Sequence, residues 1–449
     1  MKLETPNILL VNPWIHDFAA YDFWAKPMGL LYIAAILKTH GFSVSYIDCL
    51  DRFHPKSPSS GSKSKYGMGP YLKTHIEKPK LLSDIPRNFS RYGIKKEWFE
   101  AHLKSLPGPP DLVLITSMMT YWYPGVQETI KKIREIFPKV PILLGGIYAT
   151  LCPKHAVKYS GADSVITGEG EGQILKIVEE YTGFSPESSH GFESDDLDSY
   201  PYPAFYLQNK INYVPLLTSR GCPFSCAYCA SSFLMPKHIL RSAESVIEEI
   251  EFWHKKYEVL DFVLYDDAFL VDAQKHAIPI LEGIIKTGYK LRFHTPNAVH
   301  IRKMSKETAD LMYKAGFTTL RLGLETGIFE SREAMDSKVT REEFTNAVKC
   351  LSGAGFGARQ IGAYLLAGLP EQEIESVALS IEMVKQHKIT PVIAYYTPIP
   401  HTDLWDTANL FSRYDLESDP IFTNNAILPC MGKEFTWATV SYLKNLARI

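Results

Sequence analysis

The sequence predicts an α/β protein with two successive parallel-strand domains and a small helical extension at its C-terminal end. Short apolar runs alternate with helical stretches, a polar stretch rich in Ser, Asp, Pro and Gly interrupts the alternation, and six further strands follow it. The first domain is expected to be a doubly wound, Rossmann-like parallel sheet, and the second a partial (β/α)6 barrel of the TIM type. At 449 residues and 45% hydrophobic, the chain can form two or three sizeable cores.

The first domain opens with a strand, a helix and a second strand. NILLVNP is a short apolar strand, and a buried helix in PMGLLYIAAILKTH stops at Gly41 before the strand FSVSYID. Residues 54–109 show no clear periodicity, which is uncommon in a compact domain unless the stretch is functional or mobile. DLVLITSMM, VPILLGG and DSVITGEGE predict three more strands, and GVQETIKKIREIF predicts an amphipathic helix. Ligands of such sheets lie beyond the carboxyl ends of the strands.

Small and polar residues occupy those strand ends. They are Ser117 and Thr120 after one strand, Gly145, Gly146 and Thr150 after the next, and Gly168 and Glu169 after the last. Glycine lets a ligand approach the backbone closely, so this edge is a candidate site for a long ligand. Taken alone, the same glycines could equally serve the tight turns of any sheet of this class.

The domain boundaries follow from the composition. We predict a first domain at 1–182, a linker at 183–210, a barrel at 211–404 and an extension at 405–449. The six barrel strands are expected in NYVPLLTSRGC, LDFVLYDD, KLRFHTPNA, TTLRLGLET, RQIGAYLLAGL and TPVIAYYTPIP. Ser242 is the expected N-cap of the helix that follows the first of them.

Polar residues end the barrel strands, where the chemistry of such barrels gathers. They are Asp266, Asp267, Asn297, Glu325 and Gly368. Acidic pairs are as often solvated or helix-capping as functional, but the position at the end of an apolar strand favours function. Arg321 and Arg359 could each meet a carboxylate of a ligand, or could form surface ion pairs instead.

Three cysteines in the run RGCPFSCAYC carry the most specific signal. Cys222, Cys226 and Cys229 are separated by three and then two residues. Three thiolates leave one iron of a four-iron cluster without a protein ligand, and a small molecule can bind there. A zinc site would need four closed ligands, and His238 nearby does not give the usual paired spacing. A disulfide is disfavoured, because the seven cysteines are odd in number and the start of the chain does not read as a signal peptide.

Charge and hydropathy limit the class of partner. The formal charge of -2 comes from 48 basic and 50 acidic residues that are interspersed, so no nucleic-acid or anionic-membrane footprint is expected. The longest apolar run, residues 28–37, is shorter than the roughly 18 residues that span a bilayer. We therefore expect a cytoplasmic protein.

The cysteine loop resembles the radical S-adenosylmethionine (SAM) superfamily, whose CxxxCxxC signature commonly has an aromatic before the last cysteine, here Tyr228. The resemblance implies a [4Fe-4S] cluster on the three cysteines, with the amino and carboxylate groups of SAM on the remaining iron. It also implies that Asp266, Asp267, Asn297, Glu325 and Gly368 bind SAM, with Glu325 as a ribose ligand. An electron donor such as flavodoxin or ferredoxin is implied as a partner.

The first domain resembles the cobalamin-binding domain that precedes the radical SAM domain in many members. The matching segments are PMGLLYIAAILKTHGFSV, TSMM, LLGGIYATL and GADSVITGEGE, and the two resemblances together cover most of residues 6–405. The strand-end residues of this domain are then expected to bind cobalamin. The DxHxxG loop that supplies an axial histidine is missing, because NPWIHDFAAYDFW has only His16, which is more simply a hydrogen-bonded loop residue.

Two other positions leave the cobalamin assignment open. Tyr148 stands where related sequences often have histidine, and the run Tyr121, Trp122 and Tyr123 could either cover the lower face of the corrin or plug the pocket.

The implied activity is cleavage of SAM to a 5'-deoxyadenosyl radical and C-methylation of an unactivated carbon. One alternative is a radical SAM oxidoreductase or cyclase without methyl transfer, with a cobalamin-free first domain. The other is a non-enzymatic iron-sulfur electron-transfer or sensing module. The substrate is not identified by the sequence, although Tyr395, Tyr396 and His401 are candidates to line its cavity.

Overall fold

The computed structural model describes residues 5–58, 65–185, 192–329, 339–432 and 436–448. The chain divides into two compact units. The first comprises Met1–Asn212 together with Ser418–Phe422, and the second comprises Tyr213–Glu417 together with Thr423–Ile449. No helix among the described residues is long and apolar enough to cross a membrane.

Ten strands and six α-helices lie in the described part of the first unit. The strands are β1 (Asn7–Asn12), β2 (Ile15–Asp17), β3 (Tyr21–Asp22), β4 (Ser43–Asp48), β5 (Gly69–Pro70), β6 (Lys73–His75), β7 (Ser90–Tyr92), β8 (Leu112–Ile115), β9 (Ile142–Leu144) and β10 (Ser164–Val165). The helices are α1 (Met28–Thr39), α2 (Lys96–Lys104), α3 (Tyr123–Ile136), α4 (Ile147–Leu151), α5 (Pro153–Tyr159) and α6 (Ile174–Thr182).

A five-stranded parallel sheet forms the centre of this unit, in the order β10-β9-β8-β1-β4. The order is that of a doubly wound sheet, and the connections reverse direction between β1 and β8. Three of the strands, β1, β8 and β9, are fully or largely apolar. Ile8, Leu10, Leu112 and Leu114 pack with α1 and α6 in one core. The predicted doubly wound fold is confirmed.

The stretch without periodicity, residues 54–109, is ordered where the structure describes it. β7 pairs with β2 and β6 in a small antiparallel sheet, and β3 pairs with β5. The Nε1 of Trp14 donates to the carbonyl of Ile94 at 2.7 Å, and its ring meets Phe99 of α2 at 4.8 Å. The sequence pattern did not reveal these strands because each has only two or three residues, too few to express an alternation. Residues 59–64 of the stretch lie outside the described part.

Residues that we predicted as a linker pack on the first unit. Ala204 is fully buried in the core beside α1, and Leu207 and Phe192 pack against the same core. The ring of Tyr200 lies 5.5 Å from that of Tyr32. Residues 186–191 of this stretch lie outside the described residues.

Among its described residues, the second unit has eight strands and eight α-helices. The strands are β11 (Val214–Leu216), β12 (Ser219–Arg220), β13 (Ile239–Leu240), β14 (Asp261–Leu264), β15 (Arg292–His294), β16 (Phe317–Glu325), β17 (Ile361–Ala367) and β18 (Thr390–Tyr395). The helices are α7 (Ser231–Leu234), α8 (Ala243–Tyr257), α9 (Ala277–Thr287), α10 (Lys306–Lys314), α11 (Arg341–Ala354), α12 (Ile374–Gln386), α13 (Trp405–Phe411) and α14 (Trp437–Leu446).

Six of these strands form one parallel sheet in chain order, β11-β14-β15-β16-β17-β18, with helices between them. This arrangement confirms the predicted partial six-stranded barrel. Ser242 caps α8, because its side chain accepts from the backbone N–H of Ser245, as the sequence predicted. The C-terminal ends of all six strands lie at one edge of the sheet, which positions the site described next.

The C-terminal extension covers part of that edge. Leu428, Met431 and Val440 form a small apolar cluster with Tyr395, which ends β18. A Cβ atom on Gly368, just after β17, would lie 3.5 Å from Cγ of Met431. The extension therefore packs against the ends of the last two barrel strands.

Candidate functional site

The cysteine loop leaves the short antiparallel pair β12-β13 through a glycine that no other residue can replace. Gly221 has φ of 81°, and a Cβ there would lie 2.2 Å from the carbonyl oxygen of Lys237. Both the backbone conformation and the close approach exclude a side chain. The loop therefore turns sharply, directly before Cys222.

The three thiols that follow form no disulfide among the described residues and are partly screened from solvent. Cys226 is buried, whereas Cys222 and Cys229 are half-buried. The backbone N–H of Cys229 donates to the carbonyl of Cys226 at 2.9 Å, and that of Ser231 donates to Sγ of Cys229 at 3.5 Å. Within the described ranges, no three His, Cys, Asp or Glu side chains meet as they would around one ion. A four-iron cluster holds each thiolate on a separate iron, so three separate thiols on one loop suit it.

Contacts with the segment after β18 hold the cysteine loop in place. The backbone N–H of Leu404 donates to the carbonyl of Ala227 at 2.9 Å. The ring of Phe233 stacks on that of His401 with centroids 4.1 Å apart and an interplanar angle of 6°. His401 has φ of 67°, a left-handed backbone that a non-glycine residue adopts only when its surroundings impose it.

Asp266, at the end of β14, is engaged within the protein. It is 4% exposed, and its carboxylate accepts from the N–H and hydroxyl of Thr218 and from the hydroxyl of Ser219. The Thr218 hydroxyl also lies 2.9 Å from Nε2 of His276. These bonds tie the start of the cysteine loop to β14, so the geometry gives Asp266 a role in positioning the loop.

Asp267 is placed differently. Its Oδ2 accepts from the hydroxyl of Ser231 at 2.6 Å, and burial raises the pKa of its carboxyl group, while the charge of His238 opposes that shift. The Nε2 of His238 is buried and has no hydrogen-bond partner among the described residues. An orphaned ring nitrogen beside a half-buried carboxylate fits a polar ligand such as the amino acid part of SAM.

Asn297 lies at the same edge but serves its own loop. Its Nδ2 donates to the carbonyl of Tyr265 at 2.8 Å, which ties the end of β15 to the end of β14. On the other side, the hydroxyl of Tyr364 in β17 donates to the carbonyl of Pro296 at 2.8 Å. The loop after β15 is therefore held by the end of the neighbouring strand β14 and by β17, which lies two strands away.

Glu325 ends β16 in a strained conformation. Its φ is 64°, and the register between β16 and β17 shifts between Gly323 and Glu325. Left-handed backbone in a non-glycine residue and bulges beside a strand end are features that cluster at functional sites. Its charge raises the pKa of Tyr364, although burial is the larger cause of that shift.

The remaining predicted barrel residues divide between the edge and the surface. Gly368 follows β17 with φ of 95°, and its N–H donates to Oε1 of Gln372 at 2.7 Å. Arg321 lies half-buried in β16, where burial lowers its pKa and its guanidinium donates to the carbonyl of Leu320. Arg359 is exposed, outside this group. Tyr228 is half-buried within the cysteine loop.

In the first unit, hydrogen bonds join the loops that follow β8, β9 and β10. The hydroxyl of Ser117 donates to the carbonyl of Gly145 at 2.6 Å. The hydroxyl of Thr150 donates to the carbonyl of Gly146 and accepts from the N–H of Gly168, both at 3.0 Å. Three loops thus form one surface at the carboxyl edge of the sheet.

Glycine has two different functions on this surface. Gly146 has φ of 93°, and a Cβ there would lie 2.3 Å from the carbonyl oxygen of Ser117, so it permits the two loops to touch. At Gly168 a Cβ would meet nothing within 4 Å, and at Gly145 only an atom 3.8 Å away. The backbone at these two glycines is open to a ligand, which fits a large planar molecule such as cobalamin. Thr120 is buried at the start of a 3₁₀ turn, and the carbonyl of Glu169 accepts from Gln173.

His16 is held by acidic and basic neighbours. It is 7% exposed, and its Nε2 lies 2.8 Å from Oε2 of Glu128, to which Arg91 and Lys96 are also paired. Burial opposes ionisation of Glu128, but the hydrogen bonds from His16 and Lys96 and the charge of Arg91 lower its pKa to about 2. The Nε2 atom of His16 is therefore engaged by Glu128, as the interpretation of His16 as a hydrogen-bonded residue requires.

The aromatic run belongs to the interior of the first unit. Tyr123 stacks on Tyr148, with centroids 5.7 Å apart, and donates to Oδ2 of Asp419 at 3.0 Å. Tyr148 is fully buried, and its hydroxyl lies 2.7 Å from Nδ1 of His155. Trp122 donates to Oδ2 of Asp17.

Sequence reasoning missed two apolar side chains that are exposed beside Ser117. They are Met119, at 41% exposed, and Ile147, at 38%. Isolated apolar residues in loops carry no sequence pattern.

The comparison with protein families matches both parts of this description. Residues 216–381 match the radical SAM superfamily, and residues 95–178 match the B12 binding domain. The first match contains the three cysteines and the ends of β14 to β17, and the second contains the loops after β8, β9 and β10. Cobalamin is the B12 cofactor, and a radical SAM domain implies a [4Fe-4S] cluster and SAM.

Individual relatives extend over more of the chain. An uncharacterized methyltransferase of Pyrococcus horikoshii is 27% identical over 326 residues, 67% of this chain and 69% of that protein. Cytidylyl-2-hydroxyethylphosphonate methyltransferase of Streptomyces wedmorensis is 22% identical over 424 residues, 81% of this chain and 73% of that protein.

A solved structure shares the fold. The radical SAM methyltransferase TsrM of Kitasatospora setae, with cobalamin and a [4Fe-4S] cluster bound, gives a TM-score of 0.65 at 16% identity, over 91% of this chain and 76% of that one. The fold, the cysteine loop and the two family matches agree: the chain contains a region that matches the radical SAM superfamily, and a region that matches the B12 binding domain precedes it.

Proposed function

We propose that this protein is a cobalamin-dependent radical SAM methyltransferase that methylates an unactivated carbon. The observation that carries the proposal is one chain with two ligand edges, a three-thiol loop in the second unit and an open glycine surface in the first. The relatives named as methyltransferases support methyl transfer as the reaction class.

In the second unit, we assign the cluster to Cys222, Cys226 and Cys229. SAM would lie at the adjoining edge, where Asp267 and His238 can meet its amino acid part and Glu325 its ribose. Tyr228 and Gly368 border the same edge. Asp266 and Asn297 tie neighbouring strand ends together and so fix the positions of the residues that would bind SAM.

In the first unit, we assign cobalamin to the surface formed by the loops after β8, β9 and β10. Gly145 and Gly168 admit the ligand, Ser117 and Thr150 hold the loops together, and Gly146 allows them to meet. The exposed Met119 and Ile147 offer apolar contact to a macrocycle. Thr120 and Glu169 flank this surface in the loops after β8 and β10.

The protein's task in this reaction is positioning and protection. When bound, the cluster and SAM supply a radical that removes a hydrogen atom from the substrate, and cobalamin supplies the methyl group. The barrel residues would orient SAM beside the thiol loop, and the packed strand ends would keep water away from it. A reduced flavodoxin or ferredoxin would supply the electron.

The test is an anaerobic assay of the reconstituted full-length protein with SAM and dithionite. We expect 5'-deoxyadenosine, and its formation would rule out a purely electron-transferring or sensing module. Formation of S-adenosylhomocysteine in the same reaction would support methyl transfer. Deoxyadenosine without S-adenosylhomocysteine, in the presence of a substrate that is converted, would favour the oxidoreductase or cyclase alternative.

Cobalamin binding is tested separately by the absorption spectrum after hydroxocobalamin is added and the protein is desalted. A retained corrin spectrum is expected. The His16→Phe variant should bind cobalamin with the same spectrum, because the His16 nitrogen is paired with Glu128. A corrin that washes off the wild-type protein would overturn the assignment of the first unit.

A further inference from the structure

A histidine outside the cysteine signature lies against the first cysteine of the cluster loop. The Nε2 of His300 is 3.8 Å from Sγ of Cys222, within hydrogen-bonding reach of sulfur. The same ring packs edge-on against Phe224, with centroids 4.6 Å apart. The imidazole therefore contacts the cysteine loop both through a polar atom and through an aromatic contact of its ring.

The backbone that carries His300 is fixed from several sides. The N–H of Val299 donates to the carbonyl of Arg321 at 2.8 Å, and Val299 forms a bridge with Leu322 of β16. Earlier in the same loop, Thr295 donates to the carbonyl of Thr319, while Asn297 and Pro296 are tied to β14 and β17 as described above. A side chain on so constrained a loop keeps its position without help from the cysteines.

The chemistry of the contact follows from the two atoms. A thiolate bound to iron has no proton to donate, so a bond between it and a neutral imidazole requires the hydrogen on Nε2. The N–H dipole then points at a sulfur whose negative charge grows when the cluster takes up an electron. Hydrogen bonds to cluster sulfurs are among the features that set the reduction potential of an iron-sulfur cluster.

We propose that His300 is a positioning residue that donates a hydrogen bond from Nε2 to the Cys222 thiolate and so raises the reduction potential of the cluster. The proposal rests on the cluster that the proposed function places on the three cysteines. Ser231 makes the corresponding backbone contact to Cys229. The donor of His300 lies on a side chain, so a mutation can remove it.

The competing role for His300 is that of a fourth cluster ligand. Such a ligand would occupy the iron that SAM needs. The two roles differ in a measurable quantity, because a nitrogen bound to iron is coupled strongly to the electron spin of the reduced cluster, whereas a nitrogen across a hydrogen bond is coupled weakly.

The experiment is an EPR-monitored redox titration of the full-length protein with its reconstituted cluster. We compare wild type with His300→Phe, which keeps a ring against Phe224 but has no donor, and with His300→Gln, whose amide keeps one. His387→Phe is the control, since His387 also packs edge-on against a phenyl ring, that of Phe344. Iron and sulfide content is measured for every sample.

At the potential that half-reduces the wild-type cluster, the ratio of reduced to oxidised cluster should fall about tenfold in H300F, a shift of about 59 mV for one electron. H300Q should stay near wild type, and H387F should match it. A titration curve of H300F that coincides with wild type would overturn the proposal. A wild-type protein that binds no cluster would instead contradict the proposed function.

A second measurement on wild type does not depend on how well the variants fold. Protein labelled with ¹⁵N only at histidine should give a weak nitrogen coupling in pulsed EPR of the reduced cluster, and H300Q should lose it while H387F keeps it. The absence of any histidine coupling in wild type, or a coupling as strong as that of an iron-bound nitrogen, would each refute the hydrogen bond.

Discussion

The two units carry their candidate sites at the same place in their architecture, the carboxyl edge of a parallel sheet, but equip it with different groups. The first unit presents backbone at Gly145 and Gly168 beside apolar side chains, whereas the second presents thiols, a carboxylate and imidazoles. A surface of the first kind recognises a large ligand by shape, and one of the second kind binds metal and charge. The architecture sets the location of a site, and the residues at the strand ends decide its chemistry.

Removal of one thiol should distinguish the candidate sites of the two units most clearly, because only the second unit should lose its ligand. Cys226→Ala should reduce bound iron from about four atoms per chain to near zero and bring 5'-deoxyadenosine below detection, because a cluster ligand is lost. Cobalamin binding by the first unit should be retained. Iron analysis, chromatography and the corrin spectrum check these outcomes.

The control for this change is Cys350→Ala, which removes a half-buried thiol of α11 outside the cysteine signature. It should keep both iron and activity. Formation of deoxyadenosine by C226A at the wild-type rate would contradict the assignment of the cluster.

The second prediction concerns the support of the barrel edge. Arg241 and Glu249 form a buried ion pair at 2.6 Å, and Arg241 also donates to the carbonyl of Leu217, which lies between β11 and β12. Glu249→Ala leaves a buried cation without its partner and should destabilise the second unit by about 3–5 kcal/mol. Amide hydrogen exchange of α8 measures this loss.

The same helix supplies a matched control. Lys255 pairs with Glu251 at 2.7 Å on the surface of α8, and exposed pairs contribute little to stability because water and salt screen them. Glu251→Ala should therefore change exchange in α8 only slightly. Equal changes of exchange in E249A and E251A would contradict the larger stabilisation that is expected from the buried pair.

The third prediction tests the two kinds of glycine in the first unit. Gly146→Ala should cost more than the roughly 1–2 kcal/mol of a left-handed backbone, because its Cβ would also collide with Ser117. Gly168→Ala has the backbone cost alone, since its Cβ would point into open space. Thermal unfolding of the two variants should rank them in that order, and the reverse order would contradict the described packing of the loops after β8 and β9.

The smallest expected effect is a dependence of the first unit's stability on pH. The pKa of Glu128 is lowered from its usual 4.5 to about 2, so its stabilising contribution is present above pH 4.5 and is lost as the pH falls toward 2. Glu128→Gln should cost about 1–3 kcal/mol at neutral pH, and the difference from wild type should shrink over that interval. Unfolding at a series of pH values measures it, and a difference that grows on acidification would contradict the ion cluster.

Much of the fold could be predicted because it depends on long apolar strands and periodic helices. The strands of both parallel sheets lie within the predicted runs, except that β16 begins one residue earlier, at Phe317, and Ser242 caps α8 as expected. The prediction missed α2 and the strands β5 to β7. The strands are short, and they form by pairing with each other and with the loop after β1. Pairing of that kind is a tertiary property, and local pattern does not encode it.

The candidate site was predictable only in part for a similar reason. The cysteines form a local signature, and strand-end polar residues follow from the barrel geometry, so both could be read from the sequence. His300 reaches Cys222 from a loop that is distant in the chain, and Ser231 contacts Cys229 from just beyond the signature. Neither contact is part of the local cysteine pattern. The hydrogen bonds that Asp266 accepts from Thr218 and Ser219 likewise depend on the pairing of β11 with β14.

The segment Ser418–Phe422 has a consequence for how the molecule is made. Asp419 accepts the hydroxyl of Tyr123 and belongs to the first unit, although nearly all of the second unit precedes it in the chain. A ribosome that has released only the first 212 residues has therefore not yet supplied every piece of that unit. An expression fragment cut there would leave the phenol of Tyr123 without the carboxylate that receives it, so work on the isolated unit should supply those five residues as a separate peptide.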